Sequence, residues 1–378
     1  MLKLRVCKLV TLALVFFLID TEVCGQAERV VCSFSRSAAH RTGEYAFPIK
    51  DIPVELCTHV VFSRIEIDTT TKAYLVKGAT FNEDWQKIQS LRQANPQLKL
   101  IISIQSLTIM HIASVEEQRK TLIENILGTM ETLDLDGVEI LLTDVAFAFS
   151  EEIFPLVEDL KSRFVAAGRP ACEVIVLVEI ENSWIDYKRL CSLVDFVHLI
   201  AFNDRKPVYR GSDLNPFSKV LFNVGDSKNL TLERAVQYWI DSKCPASKIV
   251  LTTVYMAQTY TLAKAKHTGQ VEELTDLCSL SIESHYCRYN EFCQILKSGE
   301  WTLGWDDMEG LAPHAIQGDR WVAYENEASM QRKGEIARAK GLAGVFGVSL
   351  DNDDYLANCG PVYPLTKALR RSFLQTTD

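Results

Sequence analysis

Long apolar runs are scarce in this chain of 378 residues, and beyond the first 25 none reaches the length of a membrane span. Basic runs are missing as well. The formal charge is −9, with 40 Lys and Arg against 49 Asp and Glu, which argues against nucleic acid or an anionic membrane as partner. The seven histidines are scattered without H-E-x-x-H or comparable ligand spacing, so no metal site is expected. No G-x-G-x-x-G follows the first apolar run, and no G-x-S-x-G elbow or phosphate loop is found. Those gaps set aside dinucleotide binding, serine-elbow hydrolysis and P-loop chemistry, and no cofactor is implied. Low-complexity tracts, internal repeats and flexible linkers are also lacking.

What is present begins with Lys3, Arg5 and Lys8, an apolar run from Leu9 to Ile19, and small residues at Val23-Cys24-Gly25. This pattern reads as a secretory signal peptide over residues 1–25, with an uncleaved signal anchor as its rival. Its removal takes away three bases and two acids and moves the charge from −9 to −10. The composition, 47% hydrophobic and 24% charged, is that of a globular protein able to bury a sizeable core. Without Cys7 and Cys24, nine of the 11 cysteines remain, an odd number that leaves at least one thiol free or paired between chains. Asn229-Leu230-Thr231 is an N-glycosylation sequon, so the expectation is a secreted, extracellular glycoprotein with disulfide bonds.

Short β-branched runs alternate with longer amphipathic segments from residue 26 onward. The runs are Val30–Phe34, His59–Ile67, Lys99–Ile104, Gly137–Leu142, Glu173–Ile180, Phe196–Phe202, Ile249–Tyr255 and Gly344–Leu350. Helix-like patterns cover Asn82–Ala94, Val115–Leu133, Ile153–Ala167, Leu232–Ser242 and Met330–Lys340. Eight strand–helix alternations predict an α/β fold, a (β/α)8 TIM barrel spanning residues 26–378. The gap before the last run is too long for one helix, and residues 259–331 read as a small α+β insertion between strands 7 and 8.

The run Asp136-Gly137-Val138-Glu139-Ile140-Leu141-Leu142-Thr143 resembles the fourth strand of the glycoside hydrolase family 18 chitinases, D-G-x-D-x-D-x-E. Arg29–Phe34, Leu56–Val61, Asp195–Phe202, Trp321–Tyr324 and Ser349–Asp354 resemble other landmarks of the family, so the likeness covers the whole mature chain. It implies disulfides Cys32–Cys57 and Cys293–Cys359. The pairing of Cys172, Cys191, Cys244, Cys278 and Cys287 stays open: Cys278 and Cys287 suit a local bridge, while Cys172 and Cys191 read as buried thiols.

In the family the final Glu protonates the glycosidic oxygen while the substrate's N-acetyl group attacks, and the preceding Asp stabilises the developing charge. Here those positions hold Thr143 and Leu141, and an earlier Asp is Glu139. Strand alternation turns Glu139, Leu141 and Thr143 inward and Val138, Ile140 and Leu142 toward the helices. A hydroxyl and an aliphatic side chain supply no acid, so the degenerate motif Asp136, Glu139, Leu141, Thr143 carries no catalytic residue and a pseudoenzyme is expected. The sugar-stacking aromatics of the resemblance are replaced by Ser37, Leu107, Leu142 and Val348. The acetamide-holding Tyr-Asp is Phe202-Asn203, the third-strand Gly-Gly is Gln105-Ser106, and Tyr-Gly-Arg is Met256-Ala257-Gln258.

Three readings follow from these residues. One is a chitinase-like, carbohydrate-binding protein whose cleft, lined by Gln105, Glu139, Thr143, Phe202, Asn203 and Met256, holds a chitin-like oligosaccharide without cleaving it. In this reading Glu139 is either a ligand contact or a buried carboxylate with internal partners. Another is a signalling or growth-factor-like scaffold that binds an extracellular protein. A third is a divergent glycosidase using rim carboxylates such as Asp144, Glu179, Glu181 or Asp204.

Overall fold

Each of the eight apolar runs is buried on both faces, which is why β-branched residues fill consecutive positions rather than alternating with polar ones. The computed structural model describes residues 28–67, 81–105, 109–142, 151–180, 185–200, 219–222, 228–262, 271–274, 277–278, 286–305, 311 and 313–376. The strands are β1 (Arg29–Ser35), β2 (His59–Glu66), β3 (Lys99–Gln105), β4 (Gly137–Leu142), β5 (Glu173–Glu179), β6 (Phe196–Ile200), β7 (Ile249–Val254) and β8 (Gly344–Val348). All pair in parallel in sequence order, and β8 closes the barrel on β1. Closure is tight: a Cβ on Gly344 would lie 2.3 Å from the carbonyl oxygen of Arg29, so only glycine fits there.

Helices cover the outside of the ring. They are α1 (Phe81–Ala94), α2 (Glu116–Thr132), α3 (Ile153–Ala166), α4 (Tyr187–Leu193), α5 (Leu232–Asp241), α6 (Glu327–Ala339) and α7 (Pro364–Leu374). Sequence periodicity finds five of these segments but not α4 or α7. The last helix packs along α6, where a Cβ on Gly334 would meet the Leu369 carbonyl oxygen at 2.7 Å. Asp353 anchors its start, accepting hydrogen bonds from the Thr366 amide at 2.9 Å and the Thr366 hydroxyl at 2.7 Å. Leu350, Leu365 and Leu369 then join the helix-facing core.

Val31, Val61, Ile101, Ile175, Val250 and Phe346 fill the barrel interior. Val138, Ile140 and Leu142 join the layer between sheet and helices, which fixes the predicted register of β4. Leu142, compared above with a rim aromatic, is therefore buried under the helices and takes no place on the rim.

The barrel floor carries a charge cluster. Arg29 donates to both carboxylate oxygens of Glu173, at 3.1 and 2.6 Å, and its guanidinium lies 3.6 Å from the centre of the Phe196 ring. Lys99 donates to the same carboxylate at 2.6 Å. Burial pushes the Glu173 carboxyl up, but the His59 ring beside it and the two hydrogen bonds from Arg29 prevail and hold it well below the ordinary range. His59 is lowered from 6.5 to about 4, first by burial, with the Arg29 charge adding to it.

A second, antiparallel sheet follows β7. Its strands run in the order 271–274, 256–262, 320–324, 313–317 and 302–305, with 286–288 beside 256–262. The sheet starts at Met256, before the sequence-expected position 259, because its first strand continues almost directly from β7. It ends at Tyr324, and residues 327–331 belong to α6, whose Met330 packs in the barrel's outer core.

Cys32–Cys57 and Cys293–Cys359 are bridged, and so is Cys278–Cys287. Cys191 is not a buried thiol as expected: it pairs with Cys244, 53 residues away, because α4 and the turn after α5 bring their Cα atoms to 5.3 Å. Cys172 remains free and half-buried.

Two stability predictions follow from the floor cluster. Glu173→Ala should cost about 3–5 kcal/mol, read as the shift of a urea unfolding curve, because it strands Arg29 without its counter-charge. Folding also favours the neutral His59 ring, so its contribution is complete above pH 6.5 and is lost as the pH falls through about 4. His59→Gln should flatten the decline of the unfolding midpoint over that window; an unchanged decline would assign the pH dependence to other groups.

Candidate functional site

Barrel sites form where the C-terminal ends of the strands converge, and here the inward residues are mostly aliphatic. Leu141 of β4 lies in register between Gln105 of β3 and Leu177 of β5. Leu141, Leu177, Ile200 of β6 and Val348 of β8 belong to one apolar cluster. Ile200 and Val348 also pack with Val254 of β7 and with Met256, Tyr260 and Trp321 of the second sheet. The floor of the mouth is thus continuous with one face of that sheet.

The structure brings Gln105, Leu141 and Met256 to this mouth, each half-buried. Thr143, Phe202 and Asn203 lie outside the described residues, as do Leu107, Asp144, Glu181 and Asp204. Of the rim carboxylates considered, Glu179 is described; it ends β5 and is half-buried. Ser37 is exposed in the short helix Arg36–Ala39 that follows β1, its hydroxyl 2.8 Å from that of Ser35.

Glu139 occupies the next inward layer below Leu141. It is 2% exposed, and its Oε2 lies 2.5 Å from Nδ1 of His198, which has no exposure. Glu139 thus has an internal partner in His198. The imidazole rests against the Phe346 ring at a centroid distance of 4.9 Å, while its Nε2 and the hydroxyl of Thr252 are buried with no hydrogen-bond partner among the described residues. Sequence reasoning missed His198. A signal was available: His198 and Glu139 are polar residues at inward positions of otherwise apolar strands, a pattern that favours mutual pairing.

Asp136 sits at the opposite end of β4. Its carboxylate accepts from the Leu100 amide at 2.8 Å and from Arg92 at 2.5 Å, so it staples the strand start and lies far from the mouth. Asn229 is in the short strand Lys228–Thr231, paired with Lys219–Phe222. Among the described residues one group has metal-ligand spacing, Cys293, Asp354 and Cys359. Its sulfurs form a disulfide and its carboxylate accepts the amides of Asn358 and Cys359, which accounts for the arrangement without an ion.

The mouth offers no proton donor at Leu141 and an apolar surface around it. Acid catalysis by the motif strand would have to come from Glu139, whose carboxylate is enclosed and committed to His198. Glu139→Ala should destabilise the fold by about 3–5 kcal/mol, since it leaves a buried imidazole unmatched. Replacing both members by apolar residues, Glu139→Leu with His198→Phe, should cost less than the single change. A double variant as unstable as the sum of the singles, measured by urea unfolding, would show that the two side chains do not act as a pair.

With this geometry in place, the chain can be compared with known proteins. The family Glycosyl hydrolases family 18 matches residues 29–353. Chitinase-3-like protein 2 of Homo sapiens is 27% identical over 385 residues, covering 92% of this chain and 93% of that protein. The endochitinase of Manduca sexta is 24% identical over 372 residues, covering 91% of this chain and 67% of the relative. Among solved structures, human YKL-39, described as a pseudo-chitinase with retained chitooligosaccharide binding properties, superposes with a TM-score of 0.81. Its identity is 25%, with 93% of this chain and 100% of that chain covered. The Ostrinia furnacalis Group IV chitinase in complex with allosamidin gives the same TM-score, 0.81, at 23% identity, covering 92% and 99% of the two chains.

Proposed function

As this chain belongs to family 18 of the glycosyl hydrolases, we propose that it is a secreted, non-hydrolytic member that binds an oligosaccharide of the chitin type in the barrel mouth. The observation that carries the absence of hydrolysis is the environment of Leu141. The side chain at the position of the family's charge-stabilising Asp is aliphatic, and it packs with Leu177, Ile200 and Val348. The next inward residue of the motif, Thr143, replaces the acid. Losing a general acid alone removes about 10²–10⁴-fold in rate, before the missing carboxylate at Leu141 is counted.

Two observations support retained sugar binding. The fold superposes with a TM-score of 0.81 on a pseudo-chitinase described as retaining chitooligosaccharide binding, and the mouth places Gln105, where the family resemblance has glycine, beside Leu141. Secretion belongs to the same proposal, with residues 1–25 removed and Asn229 glycosylated. The four disulfides support it, since such bridges persist in oxidising compartments. Among the described residues no helix is long and apolar enough to cross a membrane.

A fluorogenic chitooligosaccharide should not be turned over above the buffer rate, while calorimetry with chitotetraose should show saturable binding. Turnover that disappears in Asp144→Asn would reinstate the divergent-glycosidase reading. Silence across chitin oligomers would remove the glycan reading and leave the extracellular protein partner.

A further inference from the structure

The wall shared by the barrel mouth and the second sheet differs from a sugar-stacking platform in shape. A pyranose ring is covered well by a flat aromatic face. Tyr260, Tyr286 and Trp321 are buried in the cluster on the sheet side. The half-buried residues Leu141, Ile200, Val348 and Met256 are branched or flexible aliphatic groups that join into one strip through Ile200 and Val348, which pack in both apolar clusters. Methyl-studded surfaces of this kind suit a flexible hydrocarbon chain, which can follow their relief.

One polar group interrupts the strip. Gln258 stands between Met256 and Tyr260 on the same face of the second sheet, opposite Tyr286 and Ala323 in the strand pairing. Its residue exposure is 2%, and its Nε2 donates to the Tyr286 hydroxyl at 3.3 Å. The other end of the amide, assigned as Oε1, is buried and has no hydrogen-bond partner among the described residues. An unpaired buried acceptor costs free energy unless something supplies a donor. A ligand that enters beside it with an N–H group would satisfy it.

We propose that the mouth takes an N-acylated amino sugar whose acyl chain is longer than acetyl. The chain would lie along Leu141, Ile200, Val348 and Met256, and the amide N–H would be received by Gln258. This assignment rests on the glycan reading above and names the ligand class within it. Burial of each added methylene is worth up to about 0.8 kcal/mol, roughly a fourfold gain in affinity per carbon until the strip is filled.

The test is calorimetry on the full secreted chain with N-acylglucosamines from acetyl to octanoyl, together with octanamide, which lacks the sugar. The expected result is an affinity that climbs with acyl length, with octanamide weaker than N-octanoylglucosamine. Affinity independent of acyl length would overturn the acyl proposal while leaving the glycan reading in place. Octanamide binding as well as N-octanoylglucosamine would remove the sugar from the assignment and overturn the glycan reading. Failure of every compound to bind would overturn both. Leu141→Asn should flatten the dependence on chain length, and Gln258→Leu should weaken all the N-acyl sugars about tenfold without changing that dependence. Both slopes are read from binding-competent protein only, so partial unfolding of a variant does not imitate them. An unaltered slope in Leu141→Asn would displace the chain from the strip.

Discussion

Arg29 and Glu173 stand 144 residues apart in sequence, and their bidentate contact spans the barrel from β1 to β5. Because inward and outward faces alternate along a strand, shifting either strand by one residue would turn one of these charges into the apolar helix layer. The pair therefore fixes register on opposite sides of the ring at once. Every inward residue above it takes its height from that register: Ile175 and Leu177 on β5, Val31 and Ser33 on β1, and, through β4, the layer of Glu139 and then Leu141. Closure of β8 on β1 at Gly344 completes the same constraint.

Much of this was legible in the sequence, because strands buried on both faces leave a strong local signal. The eight apolar runs match the eight barrel strands, differing by a few residues at their ends. The inward placement of Leu141 also follows from alternation alone. Contacts without local periodicity were not legible. Cys191 and Cys244 look like isolated residues until α4 and α5 pack, and His198 looks like one histidine among seven until β6 is set at the height of Glu139. The last helix, Pro364–Leu374, is a different case: Leu365, Ala368, Leu369 and Phe373 share one buried face, an amphipathic spacing that is present in the sequence, and Asp353 holds its start.

The two polar pairs inside the barrel differ in what they demand of their surroundings. Around Glu173, Lys99 and Arg29 outnumber the carboxylate, and Lys99 keeps substantial contact with water at the barrel base. Glu139 and His198 are closed off from solvent, with side-chain exposures of 3% and 0%. A buried carboxylate in that position is tolerable only while its partner stays within hydrogen-bond reach. The layer that would have to move to admit a ligand to Glu139 is thus among the most constrained in the molecule.

That constraint bears on how the mouth came to be apolar. An acidic side chain at position 141 would stand one inward position above Glu139, in a ring of Leu177, Ile200 and Val348 with no cation among them. Two carboxylates at neighbouring inward positions of one strand repel, and desolvation would raise the pKa of the upper one. In such a ring a leucine removes the repulsion and adds buried apolar area, so the surrounding packing favours leucine at this position. Restoring only the acid at 143 would leave this ring intact. A carboxylate at 141 would therefore need polar partners in the floor before a proton donor above it could be of use.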